Sequence, residues 1–147
     1  MAMTSALRLV AKNGPPGFLR PQTIMVVDDD LIVGATLATA LEFAGYRVCI
    51  AKTGAEACAL QPSLRPDLII LDLMLPDTDG LVLTTTLKAM TDAPIIICSG
   101  RYGQVDRVLA LRLGAADFVA KPFDLDDLVT RIAAVLHGAP EGLRQQA

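Results

Sequence analysis

The chain has 147 residues, 13 Lys and Arg against 16 Asp and Glu for a net charge of −3, and 52% hydrophobic residues with no Trp. A single domain fits this length, and so much apolar material with only 20% charge, plus 9 Pro and 11 Gly scattered without period, excludes disordered, collagen-like and low-complexity classes. No apolar run approaches the roughly 20 residues that cross a bilayer, no secretory signal opens the chain, and slight acidity without a Lys/Arg cluster gives no footprint for nucleic acid.

Residues 1–21, with the turn sequence Asn13-Gly14-Pro15-Pro16-Gly17, read as a mobile extension. The folded domain is expected over residues 22–137. Its first strand is the apolar run Ile24-Met25-Val26-Val27, which ends in Asp28-Asp29-Asp30 and so reads as buried, with its carboxyl end at solvent. Residues 31–44 carry a helical pattern closed by Gly45. Tyr46 to Ala51 follows as a strand, Gly54 to Leu60 as a short helix, Asp67 to Leu73 as a third strand, and Leu81 to Met90 as a helix after a Pro/Asp/Gly loop. Pro94 to Ser99, Gln104 to Leu113 closed by Gly114, Asp117 to Ala120, and Leu125 to Leu136 capped by Asp124 complete the alternation. Residues 138–147 read as a tail or linker.

Five strands alternating with five helices predict an α/β fold, a doubly wound parallel sheet covered on both faces, because parallel neighbours need crossovers. In such sheets ligands bind beyond the carboxyl ends of the strands, where the strand order reverses. The strand ends carry Asp28 and Asp29, Asp72, Ser99 and Lys121. An acidic triplet before a helix is in isolation an ordinary helix start. Asp72 is different, since it interrupts the apolar run LIILDLML, where a carboxylate is costly unless a metal or cation compensates it.

Three carboxylates at one rim form a hard oxygen site suited to Mg²⁺, or Mn²⁺, rather than zinc. Ser99 and Lys121 are placed to hold two oxygens of a phosphoryl group. Asp72 is the expected phosphoacceptor, since a carboxylate ionised at pH 7 needs no general base. Cys49, Cys58 and Cys98 are odd in number and well separated, and His137 stands alone, so neither a disulfide framework nor a zinc site is read. Reduced thiols fit a cytoplasmic protein.

These residues resemble the receiver domains of bacterial two-component response regulators. The resemblance is carried by Val26-Val27-Asp28-Asp29, by Asp72-Leu73-Met74-Leu75-Pro76-Asp77-Thr78-Asp79-Gly80, which fits D-x-x-[LM]-P-x-x-[DS]-G, by Ser99-Gly100, and by Lys121-Pro122-Phe123, over about residues 22–137. It implies a flavodoxin-like, CheY-like receiver that takes a phosphoryl group on Asp72 from a sensor histidine kinase or phosphotransfer protein. It further implies Mg²⁺ on Asp28, Asp29, Asp72 and the backbone carbonyl of Met74, phosphoryl oxygens on Ser99 and Lys121, a cis peptide before Pro122, and a switch pairing Ser99 with Phe118. The domain is then a signalling domain and not an enzyme, although it assists its own phosphorylation and dephosphorylation. The output is an output domain or a partner protein, and the alternative is a stand-alone receiver or pseudo-receiver that acts by protein binding without phosphorylation.

Met74 and Arg101 depart from the polar residues common at these positions in the family. A haloacid-dehalogenase-type phosphatase would need an Asp where Met74 stands, and the glycine-rich nucleotide motifs are absent. The fourth and fifth helices resemble a family dimerisation face, which implies a possible homodimer with Asp117 and Arg131 each placed to meet the other's copy across a two-fold axis.

Overall fold

In a computed structural model the described residues are 21–101 and 103–138. They form β1 (Thr23–Val27), α1 (Leu31–Phe43), β2 (Arg47–Ala51), α2 (Gly54–Leu64), β3 (Leu68–Leu71), α3 (Gly80–Met90), β4 (Ile95–Ser99), α4 (Gln104–Arg112), β5 (Asp117–Ala120) and α5 (Leu125–His137). Apart from Pro21 and Gly138, the expected extension and tail lie outside the described residues.

The five strands make one parallel sheet in the order β2-β1-β3-β4-β5. The chain steps outward from β1 to β2 and then returns past β1 to β3, so the order reverses between β1 and β3. Side chains along a strand alternate between faces, and each face is covered by its own helices. Met25, Val27, Ile69, Leu71, Ile95, Ile97 and Phe118 pack with Ala57 of α2, Leu83 and Leu87 of α3 and Ala110 of α4. Ile24, Val26, Leu68, Ile70, Ile96, Cys98 and Val119 pack with Leu37 and Leu41 of α1 and Leu128 and Ile132 of α5. β1, β3 and β4 are buried on both sides, which is why they read as unbroken aliphatic runs.

Four helices begin at a side-chain cap: Asp30 for α1, Thr53 for α2, Asp79 for α3 and Asp124 for α5. α4 starts at Gly103 without one. Most boundaries fall within two residues of the sequence expectation, and one differs by more. α2 continues beyond Leu60 through Pro62 to Leu64, where Arg65 closes it in the left-handed conformation at φ 50°. The residue before a proline is normally pushed away from helical backbone. Here Gln61 is buried and Leu60 and Leu64 pack against the core, so burial holds the last turn in place.

Candidate functional site

β1 delivers Asp28 and Asp29 to the rim, β3 delivers Asp72, β4 ends in Ser99, and Lys121 follows β5. Parallel register makes these ends coincide: Val27 aligns with Leu71 on one neighbour and Ala51 on the other, and Ser99 aligns with Ala120. Backbone bonds carry the alignment one residue further, from Asp28 N–H to the Ala51 carbonyl at 3.0 Å and from Asp72 N–H to the Val27 carbonyl at 2.9 Å.

Asp72 is at the centre. Ser99 Oγ donates to Asp72 Oδ1 at 2.7 Å, the Met74 N–H donates to the same oxygen at 3.0 Å, and Lys121 Nζ donates to Asp72 Oδ2 at 3.0 Å. Lys121 Nζ also donates to Asp28 Oδ2 at 2.7 Å, while Asp28 Oδ1 accepts from the Asp30 N–H at 2.9 Å. Asp28 and Asp72 are 4% and 6% exposed and Ser99 is fully buried, whereas Asp29 faces solvent. The site therefore has a buried floor and one open carboxylate.

Burial pushes the Asp28 carboxyl above its ordinary value, although the Lys121 hydrogen bond pulls the other way. Burial alone would depress the Lys121 ammonium, but its bonds to Asp28 and Asp72 outweigh this and raise it. Lys121 thus stays charged between two acids. One ammonium faces three carboxylates, so negative charge is left over. Ligand oxygens of Asp28, Asp29 and Asp72 lie within 4.8 Å of one another, and an all-oxygen set of this kind could hold a hard divalent cation.

The loop after β3 is shaped by close backbone contact. A Cβ at Gly80 would sit 2.3 Å from the Leu73 Cα and 2.7 Å from the Asp72 carbonyl oxygen, so only glycine lets α3 start this near Asp72. Met74 and Asp79 form an antiparallel bridge across the loop, and the Gly80 N–H donates to the Leu73 carbonyl. Asp77 accepts from the Gly54 and Ala55 N–H groups at 2.9 Å each, tying the loop to the start of α2. The Lys121–Pro122 peptide is cis. The Cys98 thiol, beside Ser99, is pushed by burial to about 12 and stays protonated at neutral pH.

Phe118 is 2% exposed and points into the core face shared with α2, α3 and α4. Asp117 and Arg131, each expected to meet the other's copy across a two-fold axis, pair within one chain at 2.9 Å, and Arg131 also holds Asp127. The sequence reading missed a three-residue ion-pair cluster, in which Arg101 Nη1 holds Asp79 Oδ2 at 2.7 Å and Arg101 Nη2 holds Asp106 Oδ1 at 3.0 Å. These partners come from three separate segments, and only their charges were visible beforehand.

A parallel five-stranded sheet with acids, a hydroxyl and a lysine converging at its switch point has the architecture of a receiver domain. The response regulator receiver domain family matches residues 24–133, and the chain belongs to that family: it is the receiver domain of a two-component response regulator. It is 43% identical over 114 residues to the transcriptional regulatory protein PrrA of Mycobacterium tuberculosis, covering 77% of this chain and 49% of that protein. It is 42% identical over 117 residues to the response regulator MprA of Mycolicibacterium vanbaalenii, covering 79% and 51%. The chain therefore spans about half the length of the curated relatives it matches.

Among solved structures, the BeF3-activated N-terminal receiver domain of Klebsiella pneumoniae RstA is similar at a TM-score of 0.76 and 29% identity, over 79% of this chain and 99% of that one. The non-phosphorylated HemR receiver domain of Leptospira biflexa is similar at 0.75 and 37% identity, over 81% and 97%. No helix among the described residues is long and apolar enough to cross a membrane.

Proposed function

We propose that Asp72 is the phosphoacceptor of this domain, that a sensor histidine kinase or phosphotransfer protein is the donor, and that the transfer depends on Mg²⁺. The observation that carries the reading is the double engagement of one buried carboxylate by Ser99 and Lys121 within the three-acid cluster. Asp28, Asp29, Asp72 and the Met74 carbonyl would hold the cation. When bound it supplies charge neutralisation for the incoming phosphoryl oxygens.

The chain's own groups do the rest. A carboxylate oxygen of Asp72 forms the new P–O bond as the P–N bond to the donor imidazole breaks, and the imidazole leaves with the bond's electron pair. Lys121 keeps its contact with Asp28 and turns an N–H toward a phosphoryl oxygen. Ser99 exchanges its bond to Asp72 for one to a second phosphoryl oxygen. No base is required, because a carboxylate nucleophile has no proton to give up.

The domain then acts in the cytoplasm as a signalling switch and not as an enzyme with a separate substrate, in which Ser99 and Phe118 relay the change to an output domain or partner protein, without direct nucleic-acid binding by this chain. Incubation with acetyl phosphate and Mg²⁺ is expected to add one phosphoryl mass to the wild type and none to Asp72→Asn. An adduct that persists in Asp72→Asn overturns the assignment, and a wild type that stays unmodified favours a pseudo-receiver.

A homodimer through α4 and α5 is supported by the apolar side chains that α4 leaves in water: Val105 is 71% exposed, and Val108 and Leu109 just over 40%. A two-fold axis would set this patch against its own copy. The Asp117–Arg131 pair, satisfied within one chain, would then have to exchange partners, so the apolar patch is the larger contribution. Sedimentation with and without beryllofluoride checks this, and a monomer in both states rejects it.

A further inference from the structure

Ser99 and Phe118 sit on adjacent strands, but they are not register partners: Ser99 aligns with Ala120, and Phe118 with Ile97. A chain of contacts joins them through the first turn of α4. The Arg101 N–H donates to Ser99 Oγ at 3.1 Å, so the backbone of residue 101 is tied to the hydroxyl. The Arg101 guanidinium holds Asp106 Oδ1 through Nε at 3.1 Å and Nη2 at 3.0 Å, and its Nη1 anchors on Asp79, the cap of α3. The next residue, Arg107, places its guanidinium carbon 5.0 Å from the centre of the Phe118 ring and donates to the Phe118 carbonyl at 3.5 Å. Asp106 and Arg107 are consecutive, so one helical turn grips both switch positions.

The helix that carries them buries the fewest residues of the five. α4 begins at Gly103 with no side-chain cap, and Ala110 is its single buried residue. A helix held this lightly can shift as a unit when a group pulling on its amino end moves.

We propose that Arg101, Asp106 and Arg107 are positioning residues that transmit movement of Ser99 to Phe118 through the first turn of α4. The proposal rests on the reading of Ser99 and Phe118 as the switch pair. When Ser99 leaves Asp72 for a phosphoryl oxygen, residue 101 follows its hydrogen bond, Asp106 follows the guanidinium, and Arg107 changes its seat over the Phe118 ring. A guanidinium suits both posts: Arg101 needs a fork that reaches two carboxylates, and Arg107 needs a flat cation over an aromatic face.

The test uses the full chain with Mg²⁺ and beryllofluoride as the phosphoryl mimic, and 4-fluorophenylalanine at the four Phe positions, with Phe118 assigned through Phe118→Leu. One ¹⁹F spectrum then reports both bound beryllofluoride and the Phe118 ring. Wild type is expected to show the bound signal and a displaced Phe118 resonance. Asp106→Ala and Arg107→Ala should keep the bound signal but lose at least half of that displacement. Arg107→Lys should recover part of it and Arg107→Met none. Arg101→Ala combined with Asp106→Ala should lose no more than the larger single loss, as groups acting through one contact do. Full Phe118 displacement in Asp106→Ala with the mimic bound, or additive losses in the double variant, overturns the relay. If wild type binds the mimic and Phe118 does not move, the switch reading fails. If wild type does not bind it, the site reading fails. Either result is distinguishable from a failed relay in the same spectrum.

Discussion

The α1–α5 face and the α4 flank cover the same sheet by different means. α1 and α5 each start at an aspartate cap and bury Leu37, Leu41, Leu128 and Ile132 against β1, β3 and β4. α4 lacks a cap, buries Ala110, and leaves Val105, Val108, Leu109 and Leu111 in water. Polar links take the place of a core there, with Arg101 and Arg107 as the attachments. The difference teaches where a signal can travel: a tightly packed face resists displacement, whereas a helix held by ion pairs at its amino end can be moved by changing those pairs.

Truncation of the packed face should give the largest effect. Leu41→Ala is expected to cost about 2–5 kcal/mol in denaturant unfolding, since it empties a fully buried site, while Val108→Ala should change stability by no more than about 0.5 kcal/mol. Equal costs would erase the contrast. Next comes the cap: Asp30 accepts from the Ile32 and Val33 N–H groups, so Asp30→Ala should lose about 1 kcal/mol in the same assay. Smallest is a gain on the other flank. Gly103 already has extended backbone at φ −56° and ψ 157°, and a Cβ there meets nothing closer than Asp106 Oδ2 at 3.4 Å. Gly103→Ser should therefore add a cap worth a few tenths of a kcal/mol, and hydrogen exchange should slow in α4 and not in α1.

Two acids, one at the rim and one capping α3, extend the comparison to pH. Burial raises Asp28 above its ordinary 3.8, so the folded state holds that proton more tightly than the unfolded one. Without divalent cations its contribution makes stability fall as pH rises from 3.8 through the raised folded value, and Asp28→Asn should remove that part of the slope. Asp79 moves the opposite way, chiefly because the Arg101 hydrogen bond holds its carboxyl below 3.8. Its stabilisation is complete above 3.8 and is lost as pH falls through the lower folded value, a loss that Arg101→Ala should reduce, leaving the part that the Leu81 and Val82 N–H groups supply. Unfolding curves over this acid range, with each variant beside the wild type, check both signs.

The alternation of elements was legible because each carries its own periodicity and its own punctuation. Strands buried on both faces must be aliphatic throughout, as in LIIL of β3, and Asp72 stood out because it breaks such a run. The meeting of Asp28, Asp72, Ser99 and Lys121 followed once the strands were parallel, since parallel strands bring their carboxyl ends to one rim. The last turn of α2 was not legible, because local chemistry at Gln61-Pro62 favours a stop and burial of Leu64 overrides it. The partners of Arg101 and Arg131 were not legible either. An exposed charge has several acids within reach, and nothing local selects among them.

The sequence by itself determined the α/β alternation, the identity of the polar groups at the strand ends, and the glycine that lets α3 approach Asp72. Tertiary structure decided that Lys121 bridges Asp28 and Asp72, that Arg131 satisfies Asp117 within its own chain, and that Arg101 joins the loop after β4 to the starts of α3 and α4. The division has a physical cause. Periodicity and caps are set by neighbours within a turn or two of the chain, whereas an ion pair depends on where two separate segments stop in space, and the sheet fixes that.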